Sequence, residues 1–166
     1  VYTGIFPVAK TEAGLAAVMG HEVVHALARH GGERMSQNTL AQTTLQAIGI
    51  ALGVSGANPV VSQGAMAALG VGAQVGVLLP FSRKHESEAD YVGVLLAADA
   101  GYDPRESIQL WTRMGELSGG KSASEFMSTH PSHETRIEQL EEWMSEAMPI
   151  YQSKPPAPNH ELPALR

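Results

Sequence analysis

His21-Glu22-Val23-Val24-His25 places two imidazoles four residues apart, with a carboxylate beside the first. On an α-helix, residues at i and i+4 differ by about 40° around the axis and by one turn along it. His21 and His25 can therefore aim ring nitrogens at one metal ion. Glu22 lies close enough to take a proton from water polarised by that ion without ligating it. Two ligands leave such a site incomplete, because a catalytic zinc takes three protein ligands and keeps a fourth position open. Candidates for the third are His30, His85, Glu86, Glu88, His130 and His133. Glu86 stands out because Asp90 follows it at i+4, so both carboxylates share one side of a helix. A ligand glutamate and an aspartate gripping a ligand histidine would need that arrangement. A solvated charged face is the ordinary reading of such a pair. Here the acids come soon after a long uncharged stretch and precede the apolar run Tyr91–Leu96, which predicts a partly buried pair. Glu88 lies about 160° from Asp90 around the helix and faces away.

The elements that must carry these residues are mostly helices. Val1–Phe6 is β-branched and aromatic, a short strand signal ended by Pro7. Thr11 suits an N-cap, Leu15, Val18, Met19, Val23, Ala26 and Leu27 recur at helical spacing, and Gly31-Gly32 reads as the stop. A second helix is expected from near Ser36 and a third over Val60–Leu79, with Pro80 and Ser82 marking a break. A fourth runs from about Arg83 to Ala100, a fifth from Pro104 to Leu117, and a sixth from His133 to Met148 after a loop opening at Ser118. Trp111 and Trp143 share helical spacing with Leu110, Met114, Leu140 and Met144, which predicts core packing. His30, His85, His133 and His160 are expected at the surface. The proline-rich end from Pro149 is expected to be extended or poorly ordered. The class is mainly α with a small β element: about six helices and one short strand. The organisation is a domain over 1–148 and a tail over 149–166.

Composition narrows the functional classes. The chain has 166 residues, 43% of them hydrophobic and 17% charged, which suits one domain with a continuous core. A net charge of −6 argues against a general nucleic-acid binder. The absence of cysteine excludes disulfides, thiolate zinc sites and a cysteine nucleophile. The 48 residues from Met35 to Ser82 contain no Asp, Glu, Lys or Arg. Polar residues interrupt this stretch before any segment reaches the roughly 20 apolar residues of a membrane span. It is expected to be a helical pair buried in protein, with a membrane-touching hairpin as the minority case. Opening at Val1 without a signal peptide, the chain is expected to be a piece of something longer.

His21–His25, then Ser82-Arg83…Glu86…Ala89-Asp90, then Thr129-His130-Pro131…Arg136 resemble the zinc metallopeptidases that include the HtpX heat-shock protease and the CAAX prenyl protease. The resemblance runs from Val1 to about Leu140, and the second block is more diagnostic than HExxH alone. It implies a zincin-like (gluzincin) catalytic domain whose upstream part is missing. One Zn2+ per chain is held by His21, His25 and Glu86, with Glu22 as the base and Asp90 behind the ligands. It also implies that Val1, Tyr2, Thr3 and Gly4 form an edge strand on which substrate pairs. The intervening segment looks too polar to span, which suggests the soluble bacterial branch. That branch implies a periplasmic or membrane-associated endopeptidase in envelope protein quality control. Its partners would be protein or peptide substrates, including misfolded envelope proteins, with no nucleic acid and with membrane-surface contact left open. A zinc-containing chaperone-like or self-inhibited binding domain for the same proteins is the alternative.

Three roles stay open for His130, which Pro131 restricts to extended geometry. It is a structural residue positioned by Arg136 or backbone groups, a donor to the tetrahedral oxyanion, or a fourth ligand capping the open metal position.

Overall fold

The computed structural model describes residues 3–116 and 135–163. A 3-10 turn (Thr3–Ile5) leads into α1 (Phe6–Ala9), α2 (Glu12–Leu27), α3 (His30–Val54) and α4 (Pro59–Ala73). A π turn over Gln74–Leu78 joins α4 to α5 (Leu79–Asp99), followed by α6 (Arg105–Glu116) and α7 (Arg136–Gln152). The chain divides into two compact units, Val1–Ala28 with Glu86–Arg166, and Arg29–His85.

In the first unit, α2 starts where its sequence demands. Thr11 is extended, and its hydroxyl accepts the Gly14 N–H at 3.1 Å, which satisfies one orphan donor of the first turn. Val18 of α2 packs with Val8, Val94, Leu110, Trp111, Met114 and Leu140 in the core. The helices α2 and α5 meet backbone to backbone. A Cβ on Gly20 would stand 2.6 Å from the Gly93 carbonyl oxygen, and one on Gly93 would stand 2.8 Å from the His21 nitrogen. Only glycine on both helices permits this approach.

The second unit is a helical hairpin. Gly56 takes a φ of 69°, and Asn58 caps α4 by accepting the Val60 N–H at 2.9 Å. Ser36, Thr39 and Thr43 return their hydroxyls to carbonyls one turn back in α3.

Several expectations are corrected. Thr3 and Gly4 lie in a 3-10 turn rather than an edge strand; Val1 and Tyr2 lie outside the described residues. No strand occurs among the described residues to pair with one, and helical turns satisfy these backbone groups locally. The stop of α2 comes one turn before Gly31-Gly32, at left-handed Arg29, and both glycines sit inside α3. Pro80 does not break the chain. The π turn, with Leu79 N–H bonded to Gln74 O, widens the helix just ahead of it, so Pro59–Asp99 is one continuous helical segment. By length and composition it is suited to crossing a membrane, against the expectation that no segment reaches a span. The uncharged stretch is also exposed instead of buried. Leu40, Ile50, Val54, Val60, Val61 and Val71 are all open, and α4 buries no residue. Two helices bury only the seam between them, which leaves the remaining faces outward. His30 and His85, expected at the surface, are buried and stacked on each other at 4.3 Å. The tail begins at Ser153, because α7 continues through Pro149 to Gln152.

The glycine contact predicts opposite effects of two substitutions. Gly93→Val should destabilise the first unit by about 1–3 kcal/mol or more through overpacking. Gly64→Ala, on α4 with nothing within 4 Å of the added methyl, should stabilise by about 0.5–1 kcal/mol. Chemical denaturation of both variants checks this; a neutral Gly93→Val would contradict the close approach.

Candidate metal centre

His21 and His25 stand one turn apart on α2, and Glu86 and Asp90 one turn apart on α5. The Nε2 atoms of His21 and His25 are 3.0 Å apart. Glu86 Oε2 lies 3.4 Å from His21 Nε2, and its Oε1 lies 3.4 Å from His25 Nε2. Metal–ligand distances of about 2.0–2.1 Å in tetrahedral geometry separate donor atoms by roughly 3.3–3.4 Å. One donor atom from each of His21, His25 and Glu86 lies within 4.8 Å of the other two, a set that could hold one ion, and the two 3.4 Å approaches use different oxygens of Glu86. Glu22 is half-buried on α2, about 100° around the axis from His21.

Behind the donors lies a buried layer. The carboxylate of Asp90 can only accept, so His21 presents Nδ1–H to it, at 2.8 Å, and its Nε2 is directed at the cluster. Arg136, 1% exposed, donates from Nε to Asp90 Oδ2 and from Nη2 to Glu86 Oε2 at 2.8 Å. One guanidinium thereby holds the acid that carries a donor oxygen and the acid that orients a donor histidine. Its Cζ lies 3.6 Å from the centroid of the Trp111 ring, a stacked cation–π contact. Nη1 of Arg136 is buried without a partner among the described residues. Burial alone pushes the His21 imidazole down. Its hydrogen bonds to Asp90 and Glu86, and their charges, outweigh that and raise its pKa to about 9. That shift favours the protonated ring in the metal-free protein.

The structure brings together His21, His25, Glu86, Asp90 and Arg136. His130, like His133, lies outside the described residues, as does the expected loop between α6 and α7. Glu88 is exposed. Trp111, read from spacing as core packing, is in the core and also supports Arg136 and sits edge-on to His21 at 6.3 Å. The Gly20–Gly93 contact gave no sequence signal beyond two isolated helical glycines.

The sequence profile of Peptidase family M48 matches residues 1–144. The mitochondrial metalloendopeptidase OMA1 of Schizosaccharomyces pombe is 40% identical over 149 residues, 89% of this chain and 41% of the relative. Its counterpart in Arabidopsis thaliana is 40% identical over 156 residues, 91% of this chain and 29% of the relative. A putative beta-barrel assembly-enhancing protease of Vibrio cholerae is 31% identical over 139 residues, 82% of this chain and 28% of the relative. The chain spans about two-fifths or less of the length of these curated relatives. No solved structure matches it significantly. The expected periplasmic localisation is overturned, since relatives at 40% identity are mitochondrial by name, and the envelope setting loses its support with it. Matched over 144 of its 166 residues, the chain belongs to peptidase family M48.

Proposed function

We propose that the chain is the zincin-like catalytic domain of a zinc-dependent endopeptidase, with one Zn2+ held by His21, His25 and Glu86. The observation that carries this reading is the convergence of two imidazoles and one carboxylate within 4.8 Å of one another, backed by Asp90 and Arg136. Bound zinc supplies Lewis acidity, acidifying water and polarising the scissile carbonyl. Glu22 takes the proton from the attacking water and delivers it to the leaving amine. Asp90 fixes the His21 ring so that Nε2 faces the donors, and Arg136 fixes the two acids relative to each other. Two neutral imidazoles and one carboxylate leave a dication with one net positive charge, which favours a developing oxyanion. The substrates are proteins or peptides, and the names of the OMA1 relatives support a mitochondrial setting.

The exposed apolar residues of the uncharged stretch Met35–Ser82 support contact with a membrane surface as part of this function.

Glu22→Gln should abolish casein-type cleavage while zinc stoichiometry, read by atomic absorption, stays at one per chain; undiminished proteolysis would sink the role of Glu22. His21 must lose its proton to bind metal, and its metal-free pKa lies near 9. Zinc affinity by chelator competition should therefore climb between pH 7 and 9, by up to about tenfold per pH unit, and flatten above. A pH-independent affinity across that window would contradict a protonated His21. The full chain should co-float with phospholipid vesicles; retention in the bottom fraction at all lipid ratios would refute membrane contact.

A further inference from the structure

The two donor-bearing helices cross at one close contact. They run antiparallel and touch where Gly20 meets Gly93. On one side of that contact lie the donors. His25 is five residues from Gly20, about 7.5 Å along α2, and Glu86 is seven residues from Gly93, about 10.5 Å along α5. On the other side α2 reaches Glu12, eight residues or about 12 Å away, and α5 reaches Asp99, six residues or about 9 Å away, two residues before Gly101. The angle between the arms on this second side is not filled by side chains. It is a groove of about 580 Å³ lined by Leu15, Ala16 and Met19 of α2 and by Leu96, Ala97 and Ala100 after the crossing.

The segment after α7 is bonded near the outer ends of both helices. At α2, Asn159 Oδ1 accepts the Ala13 N–H at 2.9 Å, and the His160 carbonyl accepts the Glu12 N–H at 3.0 Å. The His160 N–H donates in turn to Glu12 Oε2 at 3.0 Å, and the Leu162 N–H donates to the Lys10 carbonyl at 2.7 Å. Beyond α5, the Ala157 N–H donates to the Gly101 carbonyl at 2.9 Å, and Lys154 Nζ pairs with Asp99 at 2.6 Å. Gly101 has a φ of 84°, and a Cβ there would stand 2.4 Å from the Pro155 carbonyl oxygen. The segment thus holds both outer arm ends at once, with bonds that free helix ends would otherwise give to water.

We propose that Ser153–Pro163 is a positioning strap for the metal centre, with Asn159 as a positioning residue that sets the gap in which His21, His25 and Glu86 meet. The inference rests on the metal-binding reading above. A change of about 1 Å at the strapped ends, carried through a pivot with arms of these lengths, would move His25 and Glu86 by roughly 0.6–1.2 Å while His21, beside the pivot, stays nearly in place. Metal sites hold their distances within about 0.2 Å, so the strap decides affinity as well as stability.

The test is zinc affinity of the full chain by chelator competition, with helical content followed by far-UV circular dichroism. Asn159 is exposed, so Asn159→Leu removes the hydrogen bond without opening the core. Asn159→Leu and Gly101→Val should each weaken zinc binding about tenfold or more at wild-type helical content, the scale seen for changes behind a ligand set. Asn159→Asp keeps an acceptor at the positive helix end and should bind zinc within about twofold of wild type. Unchanged affinity in Asn159→Leu overturns the strap, whether or not Gly101→Val folds, and so does an equal loss in Asn159→Leu and Asn159→Asp. A wild-type chain that binds no zinc overturns the metal reading itself, a result distinct from either.

Discussion

The contact of Gly20 with Gly93 is the constraint on which the rest depends. His25 and Glu86 are 61 residues apart in sequence, and no local spacing can bring them within 3.4 Å. Two helix backbones that approach closely do so, because short donor side chains can then reach one point from both sides. The neighbours of the contact are the residues of the site. His21 follows Gly20 directly, and Asp90 lies one turn before Gly93. A methyl group on either glycine would separate the helices by more than the imidazole–carboxylate bonds can follow.

Close approach also buries charge, and the structure answers with partners. Asp90 and Glu86 are each less than a tenth exposed, yet Asp90 receives His21 and Arg136, and Glu86 receives Arg136. Removing two carboxylates from water without such partners would cost several kcal/mol each. The Arg136 guanidinium is the counter-charge that both acids share. Trp111 covers its face where water would otherwise hydrate it. With His21 protonated, the metal-free cluster balances its two acids with two cations. A metal ion held there, as proposed, would replace the His21 proton with a dication and add one positive charge to the site.

What could be read from the sequence follows from range. His21 with His25 and Glu86 with Asp90 are i, i+4 pairs, and helix geometry alone puts each pair on one side. Thr11 announced its helix by a cap that uses only neighbouring atoms. The features that escaped depend on partners distant in the chain. Trp111 had the spacing of a core residue, and nothing local showed that a guanidinium would lie on it. Gly20 and Gly93 are ordinary helical glycines until paired. Pro80 looked like a break because a helix-interior proline removes a hydrogen bond, and the π turn that accommodates it has no residue signature. The uncharged stretch from Met35 to Ser82 looked buried because composition reports the absence of charge and not what covers a surface. The prolines after Pro149 suggested a loose end, whereas backbone hydrogen bonds fasten it to Lys10, Glu12 and Gly101.

The central claim is that Glu86 completes a zinc site with His21 and His25. Zinc stoichiometry and affinity of wild type beside Glu86→Ala test it most directly. Wild type should hold one zinc tightly and Glu86→Ala should lose tight binding, with helical content retained. Tight, stoichiometric zinc in Glu86→Ala would remove Glu86 from the site and contradict the account.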